Sequence, residues 1–273
     1  MLLSAPKQGM FGHKPSMLHR FVAKLNKIKQ DDDIKAVLLV IDSPGGSTVA
    51  SEIIHHELTT FKKERNIPLV ATTLGLAASG GYYAAAACDR IMAHPAVLTG
   101  SIGTIFLMPD VAGLMDLIGV KTTVYKSGTL KDMGTPFRSP TPKEKELFAK
   151  IIDSYNQRFL DVVRKARKLS DEQMDLIADA RVLTATQAKD LGLIDDIAHL
   201  DEAIAATKKL AHLPENAPVI TYRSSEASDD TIYNLHSTAP NTKPVSLVET
   251  GLEPYMAAPK AGFYYLWAPE FQN

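Results

Sequence analysis

In "GLAASGGYYAAAACDR", residues 75–90, the one serine, Ser79, stands between small side chains and the pair Gly80–Gly81. A serine in that setting has two readings: close packing of small residues, or a nucleophile. A serine hydroxyl is a weak nucleophile at neutral pH, so the second reading requires an adjacent base. The eight histidines of the chain make no convincing set. His55 and His56 fall on a helix whose outer face is polar, where a solvated histidine is the commoner outcome. His94 precedes a proline at a strand end and His199 lies in a late helix. Nothing in the sequence pairs either with Ser79. The other route is a lysine, since desolvation disfavours the ammonium form and frees the amine to take a proton. "VYKSGTLKDMGTPFRSPT", residues 124–141, offers Lys126 and Lys131. From position alone, a solvated surface lysine is the ordinary reading of each.

Acyl transfer also needs backbone N–H donors aimed at the tetrahedral oxyanion. "DSPGG", residues 42–46, ends a strand at Gly45–Gly46, and Gly80 offers a further donor at a helix start. One glycine turn is a weak signal. Two at successive strand ends, one of them carrying Ser79, are a stronger one. Cys88 is the only cysteine and no histidine pair has a ligand context, so the sequence calls for neither a metal nor a cofactor.

The elements that would position these residues alternate. Residues 16–30 carry Leu18, Phe21, Val22, Leu25 and Ile28 at helical spacing, and "DDD" at 31–33 stops that helix. "IKAVLLVID" (34–42) reads as a buried parallel strand, "SPGG" as a turn, and 47–65 as a helix starting near Ser47 or Thr48. "IPLVATTLG" (67–75) is a strand, the alanine run after Ser79 a helix, and "DRIMAHP" a short strand. "KTTVYKS" (121–127) is strand-like. A long amphipathic helix spans about 142–169, followed by a polar helix near 170–178. "TATQAKDLGLIDDI" (184–197) reads as a helix stopped at Gly192 before a strand, 201–211 as a final helix and "APVITY" as a final strand. This pattern predicts an α/β fold with a largely parallel sheet flanked by helices.

Composition excludes several classes. A formal net charge of −1 gives no global field for nucleic acid. A hydrophobic content of 45% and charged content of 22% are ordinary for a globular protein. The stretches 66–88 and 91–109 lack charged residues, but Gly, Pro, Ser and Thr break them, so buried core is a better reading than a membrane span. "MLLSAPKQGMFGHK" does not read as a signal peptide. After Arg223 the chain turns polar, then ends in "YMAAPKAGFYYLWAPEFQN". The expected division is therefore a domain over 1–223 and a linker with an aromatic tail over 224–273. That tail either packs on its own domain, or docks on a neighbouring subunit or in a groove as an extended peptide.

Four blocks now carry a resemblance: "IDSPGG" (41–46), "AASGGYYAAAACDRIMAHPAVLTGSIG" (77–103), "KSGTLKDMGTPFR" (126–138) and "ADARVLTATQAKDLGLID" (178–195). Together, over about residues 16–211, they resemble the signal peptide peptidase A (protease IV) family of Ser–Lys serine peptidases. The resemblance implies a Clp-protease/crotonase-like fold and hydrolysis of apolar peptides such as signal-peptide remnants. It implies Ser79 as nucleophile, Lys131 as general base and Ser101, in "TGSIG", as the residue orienting the lysine. It implies an oxyanion hole from the Gly80 N–H and one from Gly45–Gly46, a pocket of small and apolar side chains, and alkaline-leaning activity. One protomer can hold the full dyad, and a homo-oligomeric ring is expected. Family members usually carry a membrane anchor, with the catalytic domain outside the cytoplasm, and a first strand before the first helix. "MLLSAPKQG" reads as neither, so membrane association and location stay open. In related single-length enzymes the C-terminus can approach the active-site groove, and "AGFYYLWAPEFQN" is apolar enough to do so. A crotonase-like acyl-CoA enzyme and a non-catalytic scaffold on the same fold are the competing readings.

Overall fold

A computed structural model describes residues 16–222 and 262–267, together with the short strands at 7–9 and 12–14. The elements run β1 (Lys7–Gly9), β2 (Gly12–Lys14), α1 (Met17–Gln30), β3 (Val37–Ser43), β4 (Gly45–Ser47) and α2 (Thr48–Arg65). Next come β5 (Leu69–Ala78), α3 (Gly80–Ala85), β6 (Arg90–Ala93), β7 (Leu98–Gly100), β8 (Ile105–Leu107) and α4 (Ala112–Leu117). The rest are α5 (Pro142–Arg167), α6 (Asp171–Ile177), β9 (Val182–Thr184), α7 (Ala185–Asp190), β10 (Asp196–Ile197), α8 (Leu200–Leu210) and β11 (Gly262–Leu266).

The ten-residue β5 is the spine of a six-stranded sheet. It is parallel to β3 along one edge, with Val37 opposite Leu69. Along its other edge it is parallel first to β6, from Val70 opposite Arg90, and then to β7, from Leu76 opposite Leu98. Strand β10 extends the sheet in parallel beyond β6, and β9 closes the other side antiparallel to β7. The expected α/β fold with a largely parallel sheet is therefore present. Alternation along β5 divides the packing. Leu69 and Ala71 enter a large core with Leu58 and Phe61 of α2, Tyr82 and Tyr83 of α3 and Phe159 and Val163 of α5. Val70 faces the opposite way, onto Ala203 of α8. The uncharged stretches 66–88 and 91–109 supply much of this interior, and among the described residues no helix is long and apolar enough to cross a membrane.

Caps set the helix boundaries close to where the sequence put them. Ser16, Ser47, Thr141, Ser170 and Thr184 each accept a hydrogen bond from a first-turn N–H, and Thr141–Glu144 forms a capping box.

Three expectations are corrected. Residues 121–127 are not a strand but an exposed, irregular stretch. Their β-branched residues find no partner, and β-propensity is chiefly a preference for a packed, pleated surface. "APVITY" is not a strand for the same reason. The Gly45–Gly46 step, read as a turn, is β4, because a strand from the far end of the chain pairs with it. That strand, β11, lies between β4 and β8 and is antiparallel to both.

Candidate active site

Strand β5 runs straight into Ser79, which links Ala78 to the first residue of α3. Ser79 has φ +52° and ψ −117°, a conformation that L-residues rarely adopt. Its neighbours hold it there. The Ser79 N–H donates to the Gly100 carbonyl at 2.8 Å, and the Ser79 carbonyl accepts from the Tyr83 N–H at 2.9 Å. A side chain on Gly81 would fall 2.8 Å from the Ser43 carbonyl oxygen, so the turn can close only on glycine there. The serine is 1% exposed, and its Oγ lies 3.4 Å from the Gly103 carbonyl.

The two glycine turns meet beside it. Gly45 has φ +103°, and a Cβ there would fall 2.8 Å from the Gly80 nitrogen. Gly45 and Gly46 lie on β4 and Gly80 opens α3, and the fold brings them together around one point. The Tyr265 carbonyl of β11 occupies that point. It presses on the site of a Gly45 side chain and would lie 3.0 Å from one on Gly80. Tyr265 is opposite Gly46, and the Trp267 N–H donates to the Pro44 carbonyl at 2.9 Å. In an antiparallel ladder the pair two residues before a hydrogen-bonded pair is of the same kind, which aims the Gly46 N–H at the Tyr265 carbonyl. Because α3 has only six residues, its contribution to such a carbonyl is its leading N–H groups rather than a long helix dipole.

The Tyr265 side chain enters the core. It stacks on Tyr83 with centroids 5.2 Å apart, and packs on Phe159 at 4.7 Å. Its hydroxyl donates to the Tyr155 carbonyl at 2.8 Å. Burial raises the phenol's pKa, so it is neutral. The expectation of small and apolar walls holds only around Ser79. Farther in, the walls are aromatic, formed by Tyr83 and Phe159.

Ser101 follows β7, is 8% exposed, has φ +49°, and donates its N–H to the Arg181 carbonyl at 2.8 Å. Lys131 lies in the stretch between α4 and α5. It is exposed, and no hydrogen bond joins its ammonium to Ser79 or Ser101. The loop around it is nevertheless pinned. Asp132 accepts from Lys126 at 2.6 Å and from Arg138 at 3.0 Å. Arg138 also forks onto Glu144 at 2.6 and 2.8 Å. Lys126 is thereby paired off as a structural cation.

Glu144 is 1% exposed, and the Arg138 hydrogen bonds, with the Thr141 N–H, hold its carboxyl at about 2 against an ordinary value near 4.5. A carboxyl depressed on folding stabilises the folded state above its unfolded pKa, and that contribution is lost as pH falls toward the folded value. Urea denaturation should therefore show stability falling between about pH 4.5 and 2. The Glu144→Gln variant should be weaker at pH 7 and lose less over that interval. An unchanged acid limb in the variant would count against this assignment.

The histidines take other roles. His94 and His199 pack edge to face at 4.9 Å. His55 is half-buried rather than solvated, lies 5.2 Å from the Tyr83 ring, and is pushed down in pKa by that burial. Among the described residues no group of three or more His, Cys, Asp or Glu could hold a metal ion.

Comparison with known proteins gives two family matches. Peptidase family S49 matches residues 61–214, and the Clp protease family matches residues 12–98. The chain is 35% identical over 218 residues to a putative signal peptide peptidase SppA of Enterococcus faecium, covering 80% of this chain and 63% of that protein. It is 33% identical over 218 residues to the putative protease MJ0651 of Methanocaldococcus jannaschii, covering 80% and 69%. It is 34% identical over 193 residues to Protease 4 of Salmonella typhi, covering 71% of this chain and 31% of that one. The chain thus spans less than two thirds of some relatives.

Proposed function

Because this chain belongs to peptidase family S49, we propose that it is a serine endopeptidase that hydrolyses apolar peptides, such as signal-peptide remnants, with Ser79 as nucleophile and Lys131 as base. The observation that carries this reading is β11. An extended segment lies antiparallel between β4 and β8, with one carbonyl set against Gly45 and Gly80, next to Ser79. A peptide substrate needs that same arrangement: ladder hydrogen bonds to hold it and N–H donors at the carbonyl to be attacked.

In the proposed mechanism the neutral Lys131 amine takes the Ser79 proton as Oγ bonds to the scissile carbonyl carbon. The carbonyl electron pair moves onto oxygen, where the N–H groups of Gly80 and the Gly45–Gly46 step receive it. Lys131 then passes the proton to the leaving amine as the C–N bond breaks. Water repeats the sequence on the acyl-enzyme. Ser101 orients the lysine amine. Because the base must be deprotonated, activity should rise with pH on the alkaline side of neutrality.

The test is labelling of Ser79 by a serine-reactive phosphonate probe together with turnover of casein or an apolar peptide ester. A probe that leaves Ser79 unlabelled in a folded protein with no turnover would favour the scaffold reading.

Assembly belongs to the same proposal. Residues 112–137 expose Leu117 at 83%, Ile118 at 63% and Tyr125 at 95%. So apolar an exposed arm is a poor surface for a lone monomer. A second copy of this chain covering it would also withdraw Lys131 from water, as a lysine base requires. Light scattering should report a homo-oligomer. The pair Leu117→Asp and Tyr125→Asp should shift it toward monomer and lower turnover. A fully active monomer would overturn the assembly.

A further inference from the structure

Lys131 has a carboxylate as its chain neighbour, Asp132. A lysine base must give up its proton, and a nearby carboxylate works against that by favouring the ammonium form. The fold meets this carboxylate with two cations. Lys126 Nζ donates to Asp132 Oδ1 at 2.6 Å, and Arg138 donates to the two carboxylate oxygens at 3.0 and 3.3 Å. The Arg138 hydrogen bonds first, and the Lys126 bond second, hold the Asp132 carboxyl well below the usual carboxylate range.

Local turns fix this arrangement. The N–H groups of Lys131, Met133 and Thr135 donate to the carbonyls of Gly128, Leu130 and Asp132, each at 3.1 Å. Lys126 Nζ also donates to the Thr129 carbonyl at 3.0 Å, so one ammonium ties both ends of the turn that carries Lys131. Arg138 is fixed from its other side by Glu144, which is 1% exposed at the start of α5. The charges therefore alternate, Lys126, Asp132, Arg138, Glu144, and cancel. Nearby charges outside this chain are engaged or exposed. Asp110 accepts from the Ser139 hydroxyl at 2.7 Å, and Glu146 pairs with Lys143 and Lys150. Lys121, Asp116 of α4 and Lys145 of α5 are exposed, and β8 and β11 carry no charged residue.

We propose that Lys126 and Arg138 are positioning residues that act on Lys131 through Asp132: by cancelling the neighbouring negative charge they leave Lys131 available as a neutral amine. This rests on the peptidase reading, in which Lys131 is the base. A network that only held the loop together would lower activity without moving its pH profile. A charge balance moves the profile, and in opposite directions for the two signs of charge.

The test follows the acid limb of kcat/KM against pH. Lys126→Met leaves Asp132 less compensated, favours the ammonium form and should move the limb to higher pH by about 0.5–1 unit. Asp132→Asn removes the carboxylate, leaves its cations and should move the limb to lower pH by about as much. Lys126→Arg should restore the unaltered profile. The double variant Lys126→Met with Asp132→Asn has neither partner but the original charge balance, so its limb should return close to the original. Single variants that move the limb in the same direction, or not at all, overturn the proposal. A second arm needs no turnover. In the full chain carrying Ser79→Ala, the pH dependence of Lys131 acetylation by acetic anhydride is read by mass, and it should show the same opposed shifts. Opposed shifts there, with full turnover in Lys131→Ala, uphold the charge balance and remove Lys131 as the base. Turnover lost in Lys131→Ala, with acetylation curves that do not move in the charge variants, upholds the base and overturns the balance.

Discussion

Replacing Ser79 with alanine is expected to lower peptide hydrolysis by about 10⁴-fold or more, with the melting temperature nearly unchanged. The size follows from the step removed. On the proposed mechanism there is no acyl-enzyme without Oγ, and what remains is the proposed donor set at Gly45, Gly46 and Gly80 acting on an unassisted water. The small effect on stability follows from the site. The Ser79 side chain makes one long contact, 3.4 Å to the Gly103 carbonyl, and no helix cap. Alanine at φ +52° is no more strained than serine by more than a few tenths of a kcal/mol, since both carry a Cβ. On the same proposal Lys131→Ala is expected to fall as far, because a nucleophile and its base act as a unit and their losses do not add. Its fold should survive as well, since Lys131 is exposed while the ion pairs that tie its loop belong to Lys126, Asp132, Arg138 and Glu144. Full activity in Lys131→Ala would mean that another group takes the proton, and His55, which packs on Tyr83, would then need testing.

How much of this was legible in the sequence depends on how far apart the interacting residues lie. Strand β3, helix α2 and strand β5 follow from local signals, a continuous apolar run or a serine cap ahead of a helical period, and each boundary falls within a few residues of its expected place. Ser79 and Gly80 stand out for the same reason, since the strand, the turn and the helix are contiguous. The strand character of Gly45–Ser47 was not legible. It depends on β11, which lies at the other end of the chain, and two glycines without that partner read as a turn. The aromatic pocket was hidden differently. Tyr83, Phe159 and Tyr265 each satisfy the pattern of their own element, and periodicity does not show that three distant elements bring their rings together. The stretch 121–127 failed in the opposite sense. Val124 and Tyr125 have strand-type side chains, yet they are exposed at 48% and 95%, because nothing in the described chain lies against them.

Deleting residues 251–273 is expected to raise turnover of a short peptide by about tenfold or more, measured at substrate well below saturation. On the proposed reading the segment 262–266, paired with β4 and β8, holds the positions that a substrate needs and competes as a tethered peptide whose effective concentration is set by its linker. Its hold depends heavily on one side chain. Burying Tyr265 contributes about 1.5–3 kcal/mol, which corresponds to a factor of roughly ten to a hundred and fifty in the ratio of filled to open groove. The milder variant Tyr265→Ser should therefore release most of the same activity while leaving the chain its full length. The two variants separate blockade from architecture. If the strand is an inhibitor, both speed turnover. If it is a structural member of the three-stranded sheet β4–β11–β8, the deletion unravels β4 and β8, carries Gly45 and Gly46 out of register with Gly80, and activity falls. Unchanged turnover and unchanged mass in both variants would show that the strand neither blocks the groove nor supports it.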